Sequence, residues 1–166
     1  MSEPRIVKRG QAPVLNVEMA PEVMMGSGSV AGAYVVFEQR VPHGQLGTPH
    51  VHENEDQIAY VLDGTIGFYV GGEEFIATKG DVVLRPRGIP HALWNPTDTD
   101  SRMLEVTSPG AVEVYFSTMQ DLLMRDAGPD EIAKLAHDWG IAFKPELIAE
   151  LETRHSVRHE PGAING

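Results

Sequence analysis

Cysteine is absent from this sequence of 166 residues. Disulfide bonds, thiolate metal sites and cysteine nucleophiles are therefore excluded, and any reactive site must be built from other side chains. Also absent are uninterrupted apolar runs of roughly 18 residues, the length that a membrane-spanning helix needs. The opening segment, residues 1–11, is charged and polar and offers no apolar stretch for a secretory signal. We therefore expect a cytoplasmic protein.

Positive charge is scarce. Lys and Arg total 13 against 24 Asp and Glu, which gives a formal net charge of −11. An acidic surface repels phosphate backbones and anionic lipids, so we expect neither nucleic acid nor a membrane as a partner. A small-molecule substrate is the expected partner. The apolar share of 42% and the charged share of 22% are ordinary for a globular protein, and the length suits one domain.

The sequence does have many short segments rich in β-branched and aromatic residues, divided by turn signals. Asp63-Gly64 is a strong hairpin signal between two such segments. Turns recur about every six to ten residues, which is typical of a small barrel or jelly roll. The predicted strands are 31–41, 57–62, 65–70, 73–78, 82–85, 91–95, 103–108 and 112–117.

After residue 117 the apolar spacing becomes helical. Pro129 and two acidic residues predict a helix start, and Gly140 predicts its end. Pro145 opens a second predicted helix. We expect these helices to pack outside the barrel or on a second subunit. The predicted organisation is an N-terminal arm (1–29), a barrel (30–117), a helical extension (118–153) and a frayed polar tail (154–166).

Three histidines and a glutamine have the spacing of a metal site. His50 and His52 are two residues apart, so on a strand their imidazoles point to the same side. Gln57 begins the next predicted strand, and His91 begins a later one. Buried imidazoles that converge without a metal are hard to satisfy. The alternative, that all four are satisfied polar core residues, is less favoured.

The segments around these residues resemble the two motifs of the cupin superfamily. Every defining position is present, except that Gln57 stands where the family has glutamate. The resemblance implies an all-β fold, the double-stranded β-helix or jelly-roll barrel, with one metal held by His50, His52, Gln57 and His91. The matching residues are Gly44, His50, His52, Gln57 and Gly64 in the first motif and Gly80, Pro86, Gly88, His91 and Asn95 in the second.

The chemistry of the ligands does not identify the metal. Imidazole and amide oxygen suit Fe, Ni, Zn, Co or Mn, and the sequence does not rank them. A neutral ligand set leaves a divalent ion its full charge, which favours polarising a carbonyl or enolate. It does not exclude oxygen chemistry. The stretch from Gln57 to Gly64 resembles small cupins that process unsaturated uronates and cupin isomerases, whereas the C-terminal helices resemble those of quercetinase-like dioxygenases.

Three functions remain after these observations. The favoured one is a dioxygenase-type oxidoreductase that acts on a small oxygen-rich organic molecule. The second is a non-redox isomerase or ring-opening enzyme, and the third is a metal- or ligand-binding cupin without turnover. The resemblance also implies a homodimer, in which a strand within residues 6–17 could be exchanged.

Other residues have weaker signals. Phe68, Leu93 and Met103 are candidate pocket residues, although buried apolar residues are usually core. Glu105 is a candidate general base if it points inward. The alternative for Glu105 is that it faces solvent or pairs with an arginine. His159 lies in the predicted tail and is interpreted as a surface residue.

Overall fold

The computed structural model describes residues 6–8 and 10–160. Its strands form two sheets. The first is antiparallel and contains, in spatial order, β1 (Glu22–Met25), β2 (Val35–Val41), β10 (Ser101–Ser108), β5 (Asp56–Asp63) and β8 (Val82–Arg85). The second contains β11 (Ile141–Phe143), β4 (His50–His52), β9 (His91–Trp94), β3 (Gln45–Leu46) and β12 (Arg158–His159), with β6 (Thr65–Val70) beside β9 and β7 (Glu73–Thr78) beside β6. The predicted all-β jelly-roll fold is confirmed.

The β5–β6 hairpin turns at Asp63-Gly64, as the sequence predicts. Gly64 has a φ of +78°, a conformation that residues with a Cβ rarely adopt. A Cβ there would also collide with Ser101 at the start of β10. Further along β6, a Cβ on Gly67 would overlap the indole of Trp94. These two glycines let β6 turn tightly and lie close against β9.

The core lies between the two sheets and has an apolar and a polar part. Strands β5 and β10 point alternate residues inward, as a strand with one buried face must. Val61 and Met103 pair across these strands and lie in the apolar core. Towards the other end, the inward residues are Gln57 and Glu105. The polar part of the barrel interior therefore begins within the same two strands.

The predicted strand at 112–117 is wrong, because these residues begin helix α1 (Val112–Met124). Their β-branched and aromatic content mimics a strand. The buried residues of α1 nevertheless follow a helical period: Val112, Tyr115, Met119 and Leu122. Glu113 in the first turn accepts a hydrogen bond from the backbone N–H of Ser27 at 2.7 Å, which ties the helix to the N-terminal arm.

The two predicted helices of the extension are confirmed as α2 (Pro129–Asp138) and α3 (Ile148–His155), the latter preceded by a 3-10 turn at Pro145–Leu147. Helices α1 and α2 share a hydrophobic cluster with the N-terminal arm and β2. They pack outside the barrel strands and cover one opening of the barrel. No helix in the described ranges is both long and apolar enough to cross a bilayer.

The last described residues, 154–160, are more ordered than the sequence predicts. The expected frayed tail is wrong for residues 154–159, since Arg154 forms ion pairs with Glu74 and Glu150 and β12 pairs in parallel with β3. Residues 161–166 of that predicted tail lie outside the described residues. In the arm, Val14 bridges to Glu22 of its own chain. An exchanged arm and the homodimer stay predictions.

Candidate metal centre

The three histidines of the predicted site come together on two neighbouring strands. His50 and His52 lie on β4, and His91 pairs directly with His50 across β4 and β9. One ring nitrogen from each histidine lies within 4.8 Å of one from each of the other two. This spacing allows three imidazoles to bind one ion. The predicted convergence of the histidines is confirmed.

Each imidazole is held by a hydrogen bond at Nδ1. His50 Nδ1 lies 2.6 Å from the carbonyl oxygen of Thr48, and His91 Nδ1 lies 2.9 Å from that of Ile89. His52 Nδ1 lies 3.0 Å from a carboxylate oxygen of Glu55. Carbonyl and carboxylate oxygens only accept, so Nδ1 carries the proton and Nε2 keeps its lone pair. Outer partners of this kind orient metal-binding histidines.

Burial keeps the imidazoles of His50 and His91 neutral. It lowers the pKa of His50 to about 3, with the neighbouring His52 as a further cause. Burial likewise lowers the pKa of His91, again with His50 contributing. His91 Nε2 is buried and has no hydrogen-bond partner. A neutral imidazole whose buried nitrogen has no hydrogen-bond partner is suited to bind a metal, because that nitrogen would otherwise remain unsatisfied.

Gln57 has a side-chain amide oxygen that is free to bind a metal. Its Nε2 donates to Glu105 Oε1 at 3.2 Å, while its Oε1 is buried without a hydrogen-bond partner. A carboxylate can only accept hydrogen bonds, so the Gln57 amide turns its NH₂ group, and not its oxygen, towards Glu105. The amide oxygen is thereby left free as a ligand. The donor set of three imidazoles and one amide oxygen fits a divalent transition metal.

Glu105 points inward, as a general base there would have to, but it is fully engaged. It forms a buried ion pair with Arg85, and its Oε1 also accepts from Thr107 at 3.2 Å. This is the alternative in which Glu105 pairs with an arginine. The contacts favour a role in holding Gln57 over a role as a base.

The histidines open onto a cavity of about 470 Å³. Helices α1 and α2 and the N-terminal arm supply most of its apolar wall. Of the three predicted pocket residues, Leu93 lines the cavity, whereas Phe68 and Met103 lie in the apolar core between the sheets. The apolar wall includes Met19, Leu93, Phe116, Met119, Leu123 and Ile132.

Several polar residues of the site were missed by the sequence reasoning. Glu55 belongs to an acidic loop that sequence alone indicates to be solvated, yet it is 4% exposed and holds His52. Its spacing of three residues from His52 was the available signal. Three other missed residues, Arg85, Glu18 and His159, line the cavity directly. Glu18 and His159 lie far from the motifs in sequence, so no local pattern could have identified them.

Comparison with known proteins agrees with this geometry. A family model described as Cupin domain matches residues 37–107. The chain is 23% identical over 119 residues to quercetin 2,3-dioxygenase of Bacillus subtilis (strain 168), covering 71% of this chain and 35% of that protein. It is 33% identical over 66 residues to the pectin degradation protein KdgF of Dickeya dadantii (strain 3937), covering 40% of this chain and 59% of that protein. The chain thus spans roughly a third and three fifths of these two relatives.

Among solved structures, KdgF from Halomonas sp. superimposes with a TM-score of 0.57 at 23% identity, over 64% of this chain and 94% of that one. Identity at this level supports the shared fold and nothing finer. Helices α1 and α2 lie outside the residues that the family model matches.

Proposed function

We propose that this chain, whose residues 37–107 match the model of a cupin domain, is a metal-dependent enzyme, a dioxygenase-type oxidoreductase. Its substrate would be a small organic molecule with a largely apolar body and two neighbouring oxygen substituents. One observation carries this proposal: three converging imidazoles and an unpartnered amide oxygen face a cavity whose remaining wall is mainly apolar.

The cavity supports the choice of substrate class. A volume of about 470 Å³ lies in the ordinary range for small-molecule sites. Phe116, Met119 and Leu123 would contact the body of the substrate, and an aromatic ring fits such a surface. A sugar acid, which carries hydroxyls all round, would leave many of them without partners against this wall.

The chain's residues have separate tasks in this reaction. His50, His52, Gln57 and His91 would hold the metal, which supplies Lewis acidity and, if redox-active, oxygen chemistry. Glu105 and Glu55 keep Gln57 and His52 oriented. The apolar wall excludes water from a bound reactive substrate and positions its oxygen atoms at the open end of the imidazole cluster.

A second candidate is a non-redox isomerase or ring-opening enzyme. Gln57 favours it, because a ligand set without a carboxylate leaves more positive charge on the ion to polarise a carbonyl. The likeness to the pectin degradation protein KdgF supports the same candidate.

Metal analysis of anaerobically purified protein, coupled to oxygen uptake, tests the proposal. The substrates would be flavonols, diketones and catechols. Stoichiometric iron, nickel or another redox-active metal with uptake on any of these supports the dioxygenase. Metal with conversion but no uptake favours the second candidate. Tight binding without any product would indicate a binding protein.

We also propose that the protein is a cytoplasmic homodimer. Supporting this, β5 and the edge strand β8 expose a contiguous apolar face on the outside of the first sheet. Sedimentation of the wild type and of Leu84→Lys tests the dimer, which the lysine should weaken. The face consists of Ile58, Tyr60, Val82 and Leu84.

A further inference from the structure

A second polar cluster lies in the cavity wall, built from three separate parts of the chain. Glu18 comes from the N-terminal arm, Thr48 precedes β4, and His159 lies on β12. None of them belongs to the metal set. Because the arm and the final strand both close over the barrel at this point, the cluster exists only in the complete fold.

Thr48 is the centre of this cluster, and each of its polar groups is used. Its backbone N–H donates to the Glu18 carboxylate at 3.0 and 3.3 Å. Its hydroxyl lies 2.8 Å from His159 Nε2. Its carbonyl oxygen accepts the Nδ1 proton of His50. One residue therefore connects a carboxylate, an imidazole and a metal-binding histidine.

The cavity thus contains two carboxylates in opposite environments. Glu105 is paired with Arg85 and accepts from two further donors. Glu18 takes part in no ion pair among the described residues, and its identified donor is Thr48. Two carboxyl groups in such different surroundings are the usual arrangement when one is structural and the other exchanges protons.

We propose that Glu18 is a catalytic residue that transfers a proton to and from the bound substrate, an inference that rests on the proposed function. A substrate hydroxyl would lose its proton to Glu18. The O–H bond of the substrate breaks, a new O–H bond forms on the carboxylate, and the electron pair stays on the substrate oxygen. The resulting anion is the better metal ligand. The same proton is returned to the product.

The surroundings of Glu18 suit this exchange. Burial raises the pKa of its carboxyl, and the hydrogen bonds from Thr48 oppose that shift without cancelling it. A base works best when its pKa is close to the working pH. The groups that face Glu18 are Thr48, Tyr115 of α1 and, through the Thr48 hydroxyl, His159. Burial, and after it the charge of Glu18, raises the pKa of Tyr115, so that phenol stays protonated beside Glu18.

The test uses a chromophoric catechol, nitrocatechol, whose absorption spectrum reports loss of its protons. Wild type loaded with metal should bind it deprotonated at a pH where free nitrocatechol is still protonated. Glu18→Gln keeps the size and the acceptor of the side chain. It should bind metal normally but require a higher pH to bind the anion. With a turned-over substrate, kcat should fall at least about 100-fold.

Two further variants make the result specific. Glu22→Gln changes a carboxylate of the same arm that, among the described residues, accepts a hydrogen bond from the Gly10 backbone at an exposed site, and it should behave as wild type. Thr48→Val keeps the backbone donor and removes the hydroxyl, so it should shift the pH dependence by less than Glu18→Gln.

The outcomes separate this inference from the proposed function. If Glu18→Gln binds the nitrocatechol anion with the wild-type pH dependence, the assignment of Glu18 is wrong while the metal site stands. If wild type binds neither metal nor nitrocatechol, the proposed function fails and the inference falls with it.

Discussion

The cavity has two walls that differ in origin and in chemistry. The ligand wall, formed by His50, His52, Gln57 and His91, comes from the barrel, and hydrogen bonds at Nδ1 or Nε2 fix each side chain. The cover wall, formed by the N-terminal arm, α1, α2 and β12, is mainly apolar. On the proposed function, metal binding and the choice of substrate would therefore be encoded by separate parts of the chain.

Removing a ligand should have the largest effect. His91→Ala or His52→Ala takes one imidazole from the ligand wall, and we expect metal affinity to fall by more than about 100-fold, with activity lost. Elemental analysis after dialysis against metal measures this. His43→Ala is the control, since His43 is exposed and contacts only Asp100 among the described residues. Stoichiometric metal retained in either ligand variant would overturn the assignment.

Changing the side chain that orients a metal ligand through a hydrogen bond should have the next largest effect on metal affinity. In Glu105→Gln the facing group can also donate, so the Gln57 amide is no longer forced to turn its oxygen away from it. We expect metal affinity to fall about 10- to 100-fold. Arg85 also loses its partner, and the free energy of unfolding should fall by about 3–5 kcal/mol.

The control for Glu105→Gln is Glu38→Gln. It removes an ion pair with Arg102 in the same sheet but away from the cavity. If both variants weaken metal binding equally, the effect of Glu105 is one of general stability and not of ligand orientation.

The cover wall should change substrate binding and leave the metal in place. Leu123→Gln puts an amide into the apolar wall, so KM for an aromatic substrate should rise about tenfold while metal content stays at the wild-type level. Val114→Gln on the exposed face of the same helix is the matched control. A parallel loss of metal in Leu123→Gln would mean that the two walls are not separable.

The smallest predicted effect is on the pH dependence of the free energy of unfolding. The raised pKa of Glu18 means that the folded chain binds this proton more tightly than the unfolded chain does. Its contribution to stability is therefore lost as pH rises from the ordinary glutamate range through the raised pKa. Glu18→Gln should remove this part of the pH dependence in urea unfolding of the metal-free protein. An unchanged pH profile would contradict the raised pKa.

The ligand wall could be predicted from sequence because its residues lie within two short motifs. The alternation of a strand sends His50 and His52 to one side. The motif spacing places Gln57 near the start of the next strand along the chain and His91 at the start of the later strand that pairs with β4. The candidate pocket residues Phe68 and Met103 do lie inside the fold, but in the apolar core between the sheets. Parity does not say whether an inward residue faces the apolar core or the cavity, so it could not separate these two from Leu93.

The cover wall could not be predicted because it depends on contacts between distant segments. Glu18 and His159 meet at Thr48 only after the two ends of the chain have packed on the barrel. Local signals were misleading at 112–117, where β-branched residues lie on a helix because its buried face packs on β2 and the arm. Packing outweighs intrinsic β-propensity at such a site.

Titration of the metal-free protein with Co²⁺ tests the central claim most directly. Cobalt absorbs visible light with an intensity and position that depend on its ligands, so the spectrum reports both stoichiometry and donor type. We expect one Co²⁺ per chain with a spectrum typical of nitrogen and oxygen donors. That spectrum should disappear in His91→Ala and stay unchanged in Leu123→Gln. A wild-type protein that binds no Co²⁺, or binds it equally after loss of His91, would contradict the account.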